Sequence, residues 1–259
     1  TLRGKLRLSL AEELDLNQAN FAAVGTHDTA SAVAAIPGTG SFAFCSSGTW
    51  SLLGVKTPKP ITTEDSEKAN YSNEGGVGYN RYQKNIMGMW LIQDCRRDWM
   101  KESGGNISWN DIVIEARKAE PFRSIINPDA SQFYAGGDMV KKIQDFCRDT
   151  NQPVPETMGQ VARSVYESVA LRYRLALEGL EQIKGEKIDS LNIVGGGSQN
   201  VTLNRLTAGH TGLPVLAGPA EGTALGNLAA QMIASGEMEN LAAFRKAISN
   251  SFDITEYPK

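Results

Sequence analysis

Residues 25–32 read Gly-Thr-His-Asp-Thr-Ala-Ser-Ala, and they place one carboxylate, Asp28, where a short apolar stretch gives way to an alanine-rich helical pattern. An acid at a helix start sits among unpaired backbone N–H groups and the positive end of the helix dipole, which favours its charged form. A fixed carboxylate of that kind can take a proton from a hydroxyl, as a general base must. The same position also suits a plain helix cap, and the octapeptide alone leaves both roles open.

Two glycine-containing turns extend the chemistry. Ser46-Ser47-Gly48-Thr49 forms the tip of an expected hairpin, where backbone N–H groups and hydroxyls could face a phosphate. An ordinary hairpin turn would look the same. Gly195-Gly196-Gly197-Ser198-Gln199-Asn200 follows a strand and precedes a helix, a place where glycines admit a nucleotide closely. Three glycines in succession cost backbone entropy that a simple connection does not need.

Other chemistries have less behind them. Gly38-Thr39-Gly40-Ser41-Phe42-Ala43 fits the dinucleotide spacing G-x-G-x-x-A, but its order is helix, glycines, strand, the reverse of what that motif requires. With only His27 and His210 and no G-x-S-x-G elbow, a serine-hydrolase triad finds no support. No ligand spacing for zinc is present. Gly222 and Gly226, four apart in an alanine-rich segment, suggest close packing of a helix on its neighbour.

The elements that must carry these residues follow from pattern. Residues 9–14 suggest a short helix, 21–24 a strand, and 28–36 a helix stopped by Pro37-Gly38. Residues 41–46 and 49–55 read as two strands of a hairpin, and 75–84 as another strand. Residues 87–100 are apolar at helical spacing, with Met87, Leu91, Cys95 and Met100 near one face. Residues 115–137 suggest irregular surface structure around short helices. A long helix is predicted from 155 to 184, with Val161, Val165, Val169, Leu171, Leu175 and Leu177 as its buried stripe, and Gly185 ends it. A strand at 191–194, a helix from 201, a strand at 213–216 and a helix over 221–234 complete an alternation that indicates an α/β fold. No repeat or linker divides the chain, so one domain over residues 1–259 is expected.

Composition is that of an ordinary globular protein: 259 residues, 41% hydrophobic and 21% charged. A formal charge of −3 and the lack of a basic cluster with interleaved aromatics argue against a nucleic-acid surface. No apolar run reaches the roughly 20 residues that cross a bilayer, so no membrane partner is expected. Cys45, Cys95 and Cys147 are widely spaced and odd in number, which points to a reducing, cytoplasmic setting. The opening Thr-Leu-Arg-Gly-Lys-Leu has neither an initiator Met nor a signal pattern, and reads as part of something longer.

Taken together, residues 27–32 (HDTASA), 46–51 (SSGTWS), 84–90 (KNIMGMW), 195–200 (GGGSQN) and 217–227 (AGPAEGTALGN) strongly resemble the second half of the FGGY carbohydrate kinases. Within that family, HDTASA and KNIMGMW are closest to the branch that phosphorylates L-rhamnulose. The resemblance spans nearly the whole chain and implies a ribonuclease H-like domain of the actin/sugar-kinase superfamily, a mixed sheet flanked by helices. It implies that Asp28 deprotonates the sugar hydroxyl that attacks ATP, with His27, Thr29 and Asn85 against the sugar. It places Thr49, Gln93, Gly196 and Gly197 on the nucleotide, and expects Mg²⁺. The reaction implied is transfer of the ATP γ-phosphoryl group to the 1-hydroxyl of L-rhamnulose; L-fuculose or xylulose kinases, or a relative without catalysis, are the alternatives. The family's first lobe, with another phosphate motif and much of the sugar pocket, has no counterpart here. The chain is therefore expected to be a C-terminal, nucleotide-binding lobe whose partners are sugar, ATP and that missing lobe, with negligible activity alone. Metal ligands are expected on the other lobe, and none is assigned here.

Overall fold

The computed structural model describes residues 1–16 and 19–259. At the amino end, β1 (Leu2–Lys5) and β2 (Asn20–Ala22) pair antiparallel around α1 (Leu8–Leu14). Then come α2 (Asp28–Ala34), β3 (Phe42–Ser47), β4 (Trp50–Thr57), α3 (Glu64–Lys68), β5 (Ser72–Gly75) and β6 (Asn80–Met87). Four helices follow: α4 (Trp90–Ser103), α5 (Trp109–Lys118), α6 (Met139–Asp149) and α7 (Met158–Lys184). The chain ends with β7 (Ser190–Val194), α8 (Val201–Thr211), β8 (Val215–Ala217), α9 (Gly222–Ser235), α10 (Leu241–Ser251) and β9 (Thr255–Tyr257).

Among the described residues, seven strands form one mixed sheet in the order β5-β6-β4-β3-β7-β8-β9. β3, β7 and β8 are parallel neighbours, while β4, β6, β5 and β9 pair antiparallel. The carboxyl ends of β3, β6, β7 and β8 therefore lie along one edge. Residues alternate between the two faces as a pleat requires. Cys45, Leu53, Tyr82, Ile86, Leu191 and Ile193 face the larger core, which α4, α5, α7 and α8 cover. Phe42, Phe44 and Val194 face the other way, onto Ala32, Val33 and Ile36 of the α2 segment. Behind α2, Ala35 packs with Ala229, Phe244 and Ile248 of α9 and α10.

The predicted elements are present with shifts that have local causes. The long helix α7 starts at a Thr157–Gln160 capping box and stops at Gly185, which is left-handed. Its buried stripe continues from Val169 to Tyr173, Ala176 and Leu180. Leu175, expected in that stripe, is 58% exposed, and Leu171 is half-buried. Residues 75–84 hold parts of two strands, β5 and β6, joined by a tight turn in which Gly76 N–H donates to the Tyr79 carbonyl at 2.8 Å. Met87 closes β6 rather than opening a helix. The strand expected at 21–24 is β2, which pairs with β1 outside the main sheet and exposes Phe21. β8 lies one to two residues later than expected.

Four helices, α3, α5, α6 and α10, went unread. In α6, Met139, Ile143 and Cys147 are buried at every fourth position, with charged residues on the opposite face, an amphipathic spacing present in the sequence. In α10, Phe244 and Ile248 do the same behind an Asn240 cap, whose side chain accepts from Ala243 N–H. No helix among the described residues is long and apolar enough to cross a membrane.

The tightest packing is where α9 crosses α2. A side chain at Gly226 would collide with the Ser31 carbonyl, and one at Gly222 would come within 3.3 Å of Val194 Cβ. The spacing of the two glycines does reflect a close helix crossing. Gly226→Ala is accordingly expected to cost about 1–3 kcal/mol by overpacking, a fall in melting midpoint of roughly 2–10 °C. Gly105→Ala, which enters open space, should shift the midpoint by no more than about 2 °C. Thermal unfolding followed by circular dichroism compares the two, and coincident midpoints would show that the crossing tolerates a methyl.

Candidate active site

The two glycine turns meet at one residue. Ser47 ends β3, which runs beside β7 with Ser46 opposite Val194, so the turns after these strands lie side by side. Gly195 takes a left-handed φ of 84°, and a Cβ there would stand 2.8 Å from the Ser47 carbonyl oxygen. A Cβ on Gly197 would run into the Ser47 side chain itself. Gly196 has open space where a side chain would be. Two of the three glycines are thus required by packing, and the middle one lines free volume.

The first turn is tied to α4. Met89 N–H donates to the Gly48 carbonyl at 3.0 Å, and Trp90 N–H to the Thr49 carbonyl at 3.1 Å. One turn into α4, Gln93 accepts a long bond from the Thr49 hydroxyl, 3.5 Å. The helix is pinned from its far side: the Asp94 carboxylate accepts from Gly137 N–H, and Trp90 Nε1–H donates to the Phe133 carbonyl. A cavity of about 490 Å³ opens here, with Gly48, Gln93, Gly196 and Gly197 on its walls. Ligand sites in open α/β sheets form beyond the carboxyl ends of parallel strands, and this cavity has that position.

Sequence reasoning missed the cavity's other walls. Trp109, Asn110 and Arg117 come from α5 and Tyr166 from α7. Only a capping box at Ser108 and Asp111 announced α5, and nothing marked Tyr166. Arg117, whose Nε–H donates to the Thr202 hydroxyl at 2.9 Å, is a cation in a wall to which no described carboxylate contributes. That charge suits an anionic ligand. Burial pushes the Tyr166 hydroxyl up to about 12, so it stays protonated.

His27 and Asp28 stand at the start of α2. The Asp28 carboxylate accepts from Thr29 N–H through Oδ1 at 2.8 Å, and His27 Nδ1 lies 3.0 Å from the same oxygen. His27 Nδ1 is also 3.2 Å from Thr29 N, so it donates to Asp28 when it carries the hydrogen and accepts from the backbone when it does not. Both contacts fall on Oδ1, and the carboxylate is 77% exposed, which leaves Oδ2 open to an approaching hydroxyl. Thr29 is 3% exposed and its N–H is already bonded to Asp28, so, against the expectation, it has almost no surface to offer a sugar. The Ser31 hydroxyl donates to the Gly25 carbonyl and braces the loop before the helix.

Asn85 is exposed on β6, in register with Leu52, Ser46 and Val194 across the sheet. This puts it on the face that carries α2. His27, Asp28, Thr29 and Asn85 therefore share one face, and none of them lines the 490 Å³ cavity, which lies on the other. The two groups are joined at the sheet edge. Gly195 N–H donates weakly to the Pro219 carbonyl at 3.5 Å, and the Thr223 hydroxyl donates to the Asp28 carbonyl at 3.4 Å. Among the described residues no three His, Cys, Asp or Glu side chains converge as a metal site.

Residues 43–235 match the C-terminal domain of the FGGY family of carbohydrate kinases. The chain belongs to that family. Rhamnulokinase of Bacteroides thetaiotaomicron is 48% identical over 237 residues, 91% of this chain and 48% of its own length. Rhamnulokinase of Bacillus subtilis is 42% identical over 253 residues, 97% of this chain and 51% of its own. The chain thus spans about half the length of the curated relatives it matches. A ligand-bound xylulose kinase from Lactobacillus acidophilus superposes with a TM-score of 0.71 at 12% identity, covering 100% of this chain and 51% of that one. The fold is that of the actin/sugar-kinase group, as the sequence resemblance implied.

The unequal packing of the glycines gives a test. Gly197→Ala is expected to lower stability by about 1–3 kcal/mol through its collision with Ser47. Gly196→Ala should stay within about 0.5 kcal/mol of the parent, because its methyl enters free volume. Urea unfolding of both variants at one temperature decides it; equal losses would mean that Ser47 does not wedge the turns.

Proposed function

We propose that this chain is the nucleotide-binding lobe of an ATP-dependent ketose kinase, and that the sugar is L-rhamnulose, phosphorylated at its 1-hydroxyl. The observation that carries the reading is one cavity walled by both glycine turns, at the same sheet edge as an exposed carboxylate. The named rhamnulokinases among its relatives support the choice of sugar.

On this reading the chain's own residues divide the work. Gly196 and Gly197 admit the nucleoside, Thr49 and Gln93 lie against the phosphates, and Arg117 adds positive charge to the wall. ATP supplies the γ-phosphoryl group. Asp28 takes the proton of the attacking hydroxyl on its free Oδ2, while Thr29 N–H and His27 hold Oδ1 in place. Asn85, on the same face, bonds the sugar. Phosphoryl transfer needs positioning and charge stabilisation more than covalent help, and the parts just named supply positioning. The donor set present here does not amount to a Mg²⁺ site, so no step is assigned to the metal.

The remaining half of the relatives' length would supply the other wall of the cleft, and the chain alone is expected to show negligible turnover. The test is made on the chain restored to the relatives' full length. Asp28→Asn should depress turnover by about 10²–10⁴-fold while ketose binding stays close to that of the parent. Unchanged turnover would remove Asp28 as the base. A panel of L-rhamnulose, L-fuculose and D-xylulose reads the sugar, and a preference for either of the latter would overturn that choice.

A further inference from the structure

Below the first glycine turn lies a buried cluster of hydroxyls that the proposed chemistry does not use. Tyr173, inside α7 and 0% exposed, places its hydroxyl 2.5 Å from Ser51 Oγ, also fully buried. Ser51 stands at the start of β4, just past the Gly48–Thr49 turn. It is also the group against which Gly88 is packed: a Cβ on Gly88 would come 2.5 Å from Ser51 Oγ. Gly88 leads directly into the Met89 and Trp90 amides that bind the carbonyls of Gly48 and Thr49.

Ser47 belongs to the same cluster. It stands directly opposite Ser51 in the β3–β4 pair, and its hydroxyl has no hydrogen-bond partner. Its other side is the surface on which Gly195 and Gly197 rest. Burial pushes Tyr173 well above the usual phenol range and the neighbouring Cys45 thiol up to about 12, so the cluster is neutral at any ordinary pH. Three backbone segments (47–50, 88–90 and 195–197) thus meet on the side chains of Ser47 and Ser51. From α7, Tyr173 reaches Ser51, the residue paired with Ser47 across β3 and β4.

We propose that Tyr173 is a positioning residue, which sets the spacing between the Gly48–Thr49 turn and the triple-glycine turn by holding Ser51 in place opposite Ser47. The inference rests on the reading of the cavity as a nucleotide site. A ligand that touches both turns pays less to bind when their spacing is already fixed, and a ligand that touches one turn gains nothing from it. ATP spans the two turns. Adenosine and inorganic tripolyphosphate each meet one.

The experiment measures binding of ATP, adenosine and tripolyphosphate to the chain restored to the relatives' full length, using the parent, Tyr173→Phe, Ser51→Ala and the double variant. Phe keeps the ring and its packing, so the fold is retained, and the thermal midpoint checks this. Tyr173→Phe is expected to weaken ATP roughly 5- to 10-fold, the size of one lost hydrogen bond. Adenosine and tripolyphosphate should each change less than about twofold. Ser51→Ala should match it, and the double variant should be no worse than either single one, because both remove the same contact. ATP binding equal to the parent, equal losses for all three ligands, or multiplying effects in the double variant would each overturn the proposal. If the parent chain bound none of the three ligands, the nucleotide reading itself would fall, and this inference with it.

Discussion

Ser47 is the residue on which the site's geometry depends. It ends a central strand, and the adjacent parallel strand must leave the sheet directly beside it. Two of the three glycines in that exit are there because Ser47 already occupies the space a side chain would need. The constraint is steric and local, with no electrostatic partner required. Its consequence is long-range in sequence: a turn at residue 47 and a turn at residue 195 become two walls of one cavity.

A second close approach does the equivalent work on the opposite face. Gly226 lets α9 lie against the Ser31 carbonyl, and this brings Thr223 to the Asp28 backbone. α2 has only seven residues and little helical stability of its own. Its buried face, Ala30 to Ala34, is nearly all small, so the neighbouring helix rather than propensity holds it in place. An exposed carboxylate can be kept still on so short a helix only because the helix itself is clamped.

These constraints were unequally legible in the sequence. The glycine pairs and triplets were visible as anomalies, since glycine in a helix or in runs is costly unless something requires it. What required it was not visible, because Ser47 and Ser31 are distant in sequence and unremarkable in type. The α/β alternation, the long helix and the hairpin could be read from period and turn residues. α6 and α10 went unread although their apolar residues recur at helical spacing, Met139, Ile143 and Cys147 in one and Phe244 and Ile248 in the other. The limit set by distance in sequence also explains the cavity. Gly48, Gln93 and the triple glycine carried a family pattern, whereas Trp109, Arg117 and Tyr166 belong to helices whose approach to the site is a property of the fold.

The division of the candidate residues between the two faces of the sheet bears on how the proposed reaction would proceed. A nucleotide seated among α4, α5, α7 and α8 and a sugar beside α2 would stand on opposite sides of the β3–β7 pair. The transferred group would then have to pass over the carboxyl edge of those strands. That edge is built of Ser47, Gly48 and Gly195 to Gly197, the smallest side chains available. A larger residue there would keep phosphate and hydroxyl apart by more than the few ångströms that in-line attack allows. Asp28 does not line the cavity, so a role as base requires the hydroxyl it holds to reach over this edge to the phosphoryl group, and the small residues there are what would permit that approach.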